Sequence, residues 1–485
     1  MPTQTKKITL DTAALFSGKF VGLLFGVIRL NYLATYLGVA SFGTLNFATY
    51  FCSLFQVLFD LGISQLLIRE LARDLSRSNE FVGRVLTLKI AIAFLAGMLV
   101  GITGFVSHFD RITNWAILLT TVVFAVNGVA LVFLSAFQAH RRMTLVSLAN
   151  LLNDLLLSIA IILVIQSSPN VVTVLLLSIL IACVNLAILF TVYVRKVGMP
   201  ELKADVNLWK SLLKESTPIA ISSLGISTYT FIGPTILKYS RGDVEVGIYS
   251  AGYKLISILT LIPMTFSQVV YPIFSEFYTS AKEKLAKALS DSLRVVVIII
   301  VPVAVGTVIL APKVFKLLYT EGFIPGVIVL QLTIVGNIFG YMDWVLYTFL
   351  LAVNRQIFGM KISVSFGLAS IIVGLIAVPR LGFISLPFIQ IAVELCLFVT
   401  QWWYLGKIGY RIFSITYLLK PAITSILMGA VLLILGKLNL FLILPIGIAV
   451  YFVGMYTLKG FGEQELELIR GVFLKLSIGR SRYES

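Results

Sequence analysis

The sequence predicts an all-α protein that crosses a membrane many times. Hydrophobic residues make up 59% of the 485, charged residues only 12%, and the mean hydropathy is +1.00. Soluble chains carry about 45–50% apolar and about 25% charged residues, so this composition cannot clothe a water-exposed surface. Apolar runs of about twenty residues, the length that spans a bilayer, also recur from one end of the chain to the other.

Fourteen such runs are predicted, near 11–36, 42–68, 84–107, 112–138, 144–166, 170–194, 215–238, 247–275, 293–311, 323–350, 360–379, 382–406, 415–436 and 438–458. Residues 1–10 hold Lys6 and Lys7 but no small-residue cleavage site, so the first run is read as a retained helix. The second and eighth runs are long and speckled with polar residues, as suits helices facing a wet cavity. Beyond the last run, 461–485 reads as an amphipathic helix with a basic tail lying on the inner membrane surface.

Orientation follows from the basic residues. The net charge is +16, from 38 Lys and Arg against 22 acids. In a soluble protein that excess would suggest nucleic acid, but here it is read as topology, with no nucleic-acid partner. With the N-terminus inside, 27 of the 38 fall on cytoplasmic loops, six outside and five within spans. Both termini are therefore placed in the cytoplasm of a cell (inner or plasma) membrane. External connections such as 37–41 and 166–170 are short, and the longer loops 69–84, 195–214 and 275–294 are cytoplasmic.

Phe42-Gly43 and Val246-Gly247, 204 residues apart, each open a long polar-speckled run that leads into a charged inner loop. The repeat divides the chain into a six-helix bundle at 1–194, a cytoplasmic linker at 195–214 and a second six-helix bundle at 215–406. Two further helices at 407–458 and a tail at 459–485 complete it. Six is even, so the bundles share one orientation and a pseudo-twofold along the membrane normal. Within the first six runs there is no proline, whereas the second set carries Pro218, Pro234, Pro263, Pro302 and Pro387. Proline breaks a backbone hydrogen bond and bends a helix, which makes Gly233-Pro234 the candidate hinge.

A charge at mid-bilayer costs about 2.5–3.5 kcal/mol even on lenient scales, so each one needs a reason. Lys89 and Lys238 lie near span ends and are expected to snorkel to headgroups. Lys19 and Arg29 lie about 80° apart around the first helix, so both can line one broad face. Lys254 is their counterpart in the second bundle. Together these three can form a positive, low-dielectric cavity that attracts a pyrophosphate or an acidic sugar. The buried acids are Asp60, Asp154, Asp343 and Glu394. Asp60 is expected to hold local structure, and Asp154 and Glu394 near the midplane are candidates for proton or sodium coupling. With two histidines, three isolated cysteines and no phosphate-cradling loop or nucleophile elbow, the sequence offers no catalytic residues, no metal site and no cofactor.

Arg29, Tyr36-Leu37-Gly38, Phe42-Gly43, Asp60-Leu61-Gly62-Ile63 and Arg69-Glu70-Leu71-Ala72-Arg73 resemble the start of polysaccharide flippases. These are the O-antigen and capsule translocases of the multidrug/oligosaccharidyl-lipid/polysaccharide exporter superfamily. The resemblance implies two bundles alternating between inward- and outward-open forms and an undecaprenyl- or other polyprenyl-pyrophosphate-linked oligosaccharide as substrate. Arg29 matches the arginine such proteins commonly carry in their first helix. A monomer working among membrane lipids, beside a polysaccharide polymerase and glycosyltransferases, is the corresponding expectation. A cell-wall precursor flippase and a cation-coupled drug exporter of the same superfamily stand as alternatives. The drug exporter should have an acidic cavity, which Arg29 and Lys254 oppose. A membrane glycosyltransferase, polymerase or ligase would need a large extracytoplasmic loop, and this sequence has none.

Overall fold

A computed structural model describes the backbone of residues 2–410 and 416–461. Side chains are described from Val21 onward, apart from Pro218, Ser222, Ile226, Tyr229, Thr416 and Tyr417. Among the described residues there are sixteen α-helices and no strand. In chain order they are α1 Pro2–Leu54, α2 Gln56–Asp60, α3 Ile63–Arg73, α4 Ser78–Val106, α5 Arg111–Ala139, α6 Met143–Ile165, α7 Val171–Lys196 and α8 Val206–Arg241. There follow α9 Asp243–Leu259, α10 Leu261–Ser280, α11 Lys282–Leu318, α12 Val327–Ala352, α13 Gln356–Leu381, α14 Ser385–Lys407, α15 Thr416–Ile434 and α16 Leu440–Thr457. Ten described helical stretches are long and apolar enough to cross a membrane, or eleven if the bent α8 is counted; the stretch Gln356–Lys407 holds two of the predicted spans. The predicted tail helix lies outside the described residues, apart from Phe461.

Two compact units emerge, one of residues 1–258, 315–329 and 360–389, the other of 259–314, 330–359 and 390–485. In the first unit α1 packs along α6, and α5 lies between α4 and α7. Ile63, Leu67, Phe133, Phe137 and Tyr193 are fully buried in its core. Helix starts are set by short polar side chains. Asp110 accepts from the Thr113 amide, Asn170 from that of Val172 and Asp205 from that of Leu208, satisfying donors that a helix start leaves open. In the second unit α15 packs on α16, with Leu310, Met428, Leu432, Ile443 and Met455 buried between them and their neighbours. Tyr451 Oη donates to the Ile298 carbonyl at 2.7 Å, tying α16 to α11.

The second and eighth spans are not continuous helices as the sequence suggested. The second breaks after Leu54 and again at Leu61 and Gly62, whose φ values of 51° and 75° are left-handed. The eighth breaks at Thr260, between α9 and α10. Leu54 and Leu259, where the flanking helices stop, are 205 residues apart. A break frees backbone groups that hydrocarbon cannot satisfy, and the first break shows where they turn. Lys89 is 1% exposed and does not snorkel. Its ammonium donates to the Phe59 carbonyl at 3.1 Å and pairs with Asp60, which also accepts from Ser64. Burial next to a carboxylate and a freed carbonyl offsets more of the lysine's desolvation than an exposed position at the rim would.

Lys238 does not snorkel either. Its ammonium reaches Asp243 at 2.6 Å, the Thr113 hydroxyl at 2.9 Å and Asp110 at 3.3 Å, joining the ends of α8, α9 and α5. Burial pushes the Asp110 carboxyl up, but the Thr113 and Lys238 donors outweigh it and hold it below the usual aspartate range. Beside this junction two glycines bring α1 and α9 into close backbone approach. A Cβ on Gly43 would strike the Asp243 carbonyl, and a Cβ on Gly247 the Val39 carbonyl. The contact is reciprocal, because Val39 and Asp243 are spaced by the same 204 residues as the two glycines.

Removing one member of a buried ion pair strands the other. Lys89→Met is expected to cost about 3 kcal/mol of stability, measured by denaturant unfolding in detergent micelles. The double variant Lys89→Met/Asp60→Asn should recover more than half of that loss.

Candidate anion site in the first unit

Arg29 lies on α1 two helical turns after Gly22, so both residues share one face. That face packs on α6, which carries Asp154 and Ser158 one turn apart. Arg29 Nη1 donates to Ser158 Oγ at 3.4 Å, and Ser158 Oγ donates back along its own helix to the Asp154 carbonyl at 2.7 Å. The Asp154 carboxylate sits against Gly22: a Cβ on that glycine would stand 3.1 Å from Oδ2. The charges of Arg29 and Asp154 act on each other. Only a residue without a side chain at position 22 leaves this carboxylate room on the α1 surface.

Lys254 enters from α9. Its ammonium lies over the Phe42 ring at 5.6 Å, and Phe42 is itself fully buried against Phe323. The helix is held in place by Tyr319 Oη, which donates to the Ala251 carbonyl at 2.9 Å, and by the seat of Gly247 on Val39. Asn31, two residues beyond Arg29, donates to the Leu318 carbonyl at 2.8 Å. Lys254 feels the positive charge of Arg29, and among the described residues it has no acidic partner. Arg29, Asp154 and Lys254 are each half-buried. Two cations and one acid therefore meet in low dielectric with one positive charge left uncompensated. The ring face of Phe42 offsets part of that excess, and an anion would offset the rest.

The first unit thus brings together Arg29, Lys254 and Asp154 among the residues singled out from sequence. Glu394 belongs to the second unit, on α14, where it packs against Gly340 of α12 beside Asp343. The Lys19 side chain lies outside the described residues. Gly233 and Pro234 lie in α8, whose axis bends by 44° between its segments Ile219–Gly225 and Thr230–Arg241. The bend precedes Pro234 by one turn, where the ring clashes with the carbonyl four residues back. Gly233 packs tightly, a Cβ there standing 2.7 Å from Leu386 Cδ2.

Residues 8–278 match the family model described as polysaccharide biosynthesis protein. The chain belongs to that family. Three solved structures share the fold of this polysaccharide biosynthesis protein. One is a lipid II flippase MurJ in an inward closed conformation, with a TM-score of 0.76 and 13% identity over 93% of this chain and 98% of that one. Another is a multidrug resistance MATE family transporter of the MOP superfamily, inward-facing, with a TM-score of 0.65 and 15% identity over 80% of this chain and 96% of that one. The third is a MOP superfamily transporter from Pyrococcus furiosus Vc1 whose binding pocket is described as reversed in polarity. It gives a TM-score of 0.56 and 13% identity over 82% of this chain and 93% of that one. No curated protein matches the chain. The family and the fold make this an all-α, multi-pass membrane protein with the fold seen in these three structures.

Sequence reasoning passed over Gly22, Ser158 and Phe42 in this polysaccharide biosynthesis protein. The signal for Gly22 was its seven-residue spacing from Arg29; nothing in sequence paired Phe42 with Lys254. Gly26, one turn from Gly22, has nothing within 4 Å of its would-be Cβ. Gly26→Ala should therefore gain about 0.5–1 kcal/mol of helix stability. Gly22→Ala must also displace the Asp154 carboxylate, so it should gain less or lose stability. Thermal unfolding of the two variants in one detergent compares them.

Proposed function

We propose that this protein is a flippase. It moves a polyprenyl-pyrophosphate-linked oligosaccharide, the repeat unit of an O-antigen, capsule or exopolysaccharide, from the cytoplasmic to the outer leaflet by alternating access. The observation that carries this reading is the uncompensated positive charge at Arg29 and Lys254. A pyrophosphate head cannot cross hydrocarbon unaided, whereas its polyprenyl tail can remain in the bilayer. Arg29 offers a planar, always charged fork for phosphate oxygens, and Lys254 a compact point charge beside it. Asp154 keeps Arg29 neutralised while the site is empty and yields it to the anion, so the head group is held tightly enough to enter and loosely enough to leave. No covalent bond is made or broken.

The remaining assignments extend the same reading. The repeat units 1–194 and 215–406 supply the two moving bodies, linked by 195–214, with the helices of 407–458 and the tail of 459–485 outside them. Lys19 adds a third cation toward the cytoplasmic end. Asp154 and Glu394 are the ion-coupling carboxylates, and Gly233 with Pro234 is the hinge. The protein acts in the cell membrane with both termini in the cytoplasm, as a monomer, beside a polysaccharide polymerase and glycosyltransferases. A cell-wall precursor flippase is the second reading, favoured by the fold shared with the lipid II flippase along nearly the whole chain; it differs in the sugar carried. A drug exporter of organic cations would be repelled by Arg29 and Lys254.

The test is reconstitution into liposomes with fluorescent polyprenyl-pyrophosphate glycan. Arg29→Ala and Lys254→Ala should each slow head-group translocation by roughly 10- to 100-fold, the worth of one lost hydrogen bond to a charged group, while an uncharged glycolipid is unaffected. Wild-type rates in both variants overturn the reading. Pro234→Ala should slow transport several-fold without changing glycolipid binding in detergent; equal rates would remove the hinge assignment.

A further inference from the structure

The second unit carries a polar seam between α12 and α14. Gln390 Nε2 donates to Asn337 Oδ1 at 3.2 Å, and Gln401 Nε2 donates to Asp343 Oδ1. Between them the Glu394 carboxyl packs on Gly340, one turn before Asp343; a Cβ there would lie 3.1 Å from Oε2. The charges of Glu394 and Asp343 act on each other. Gln401 is 0% exposed, and its Oε1 has no hydrogen-bond donor. Asp343 takes part in none of the ion pairs among the described residues.

A carboxylic acid and a primary amide complement each other through two hydrogen bonds. The amide N–H donates to an acid oxygen, and the acid O–H donates to the amide oxygen. At Asp343 and Gln401 the first bond is made, and the Gln401 amide oxygen has no donor. An ionised carboxylate accepts only, so it cannot supply that hydrogen. A buried acceptor without a donor is costly and points to a missing proton. A metal ion fits less well. The Gln401 N–H aims its positive end at the Asp343 oxygen a cation would need, and the described residues hold no group of three or more His, Cys, Asp or Glu. The titratable group facing Asp343 from its own helix is Tyr347, and from α14 it is Glu394. Asp343 and Glu394 are both half-buried.

We infer that Asp343 carries an exchangeable proton, donated to Gln401 Oε1, so that the α12–α14 seam is a proton-binding site. On release the proton passes to water and Asp343 is left as a carboxylate beside Glu394. The site stands on its own geometry; only its use to drive translocation rests on the flippase reading.

Infrared absorption of the full-length protein in detergent tests it without any glycolipid. The wild type should show a protonated-carboxyl C=O band that shifts in D2O and vanishes on raising the pH. Asp343→Asn should lose that band, and Asp343→Glu should keep one. Gln401→Leu should move its frequency, since the acceptor is gone. A band unchanged in Asp343→Asn, or one abolished in the wild type by adding sodium chloride at constant pH, overturns the proposal. Failure here leaves glycolipid transport in liposomes untouched, and failure of that transport leaves the band untouched.

Discussion

Charge placed in hydrocarbon has to be answered, and the interior of this protein is organised around the answers. Lys89 is answered by Asp60 and by a carbonyl that a broken helix sets free. Lys238 is answered by two aspartates and a threonine at a meeting of three helix ends. Arg29 is answered by Asp154 and Ser158 on the facing helix. Lys254 meets the charge of Arg29 and the face of a phenylalanine ring. The first two arrangements close upon themselves and serve the fold. The last has no acid facing it among the described residues.

The helix breaks belong to the same economy of polar groups. A span interrupted at Leu61–Gly62 or at Thr260 exposes backbone to its surroundings, which hydrocarbon does not tolerate. Lys89 fills one such vacancy, and Tyr341 donates its hydroxyl to the Leu259 carbonyl at the other. Where the helix must bend, a buried side chain with a hydrogen to give stands beside the bend. The second unit follows the same logic with amides, Gln390 on Asn337 and Gln401 on Asp343.

Much of this was legible in the sequence, because lipid allows few solutions. Apolar run length located the helices, and Lys19 and Arg29 in the first run stood out as charges needing a reason before any partner was visible. What could not be read was pairing between distant segments. Lys89 and Asp60 look like unrelated charges in sequence: reach to the membrane surface explained the lysine cheaply, and a local structural role explained the aspartate. Lys238 has Asp243 five residues away, but Asp110 joins it only through folding. The polar speckling of the second and eighth runs was visible, while the backbone breaks it accompanies were not: Gly62 is one glycine among many in the spans, and Pro263 lies past Thr260 in the first turn of the next helix, where proline is tolerated. Asp343 and Glu394, 51 residues apart, became neighbours only when α12 met α14.

At the crossing of α1 and α9, Gly43 and Gly247 let each helix set its backbone against a carbonyl of the other. The absence of a methyl group on either side fixes how near the two axes come, and any larger residue at 43 or 247 would have to wedge them apart.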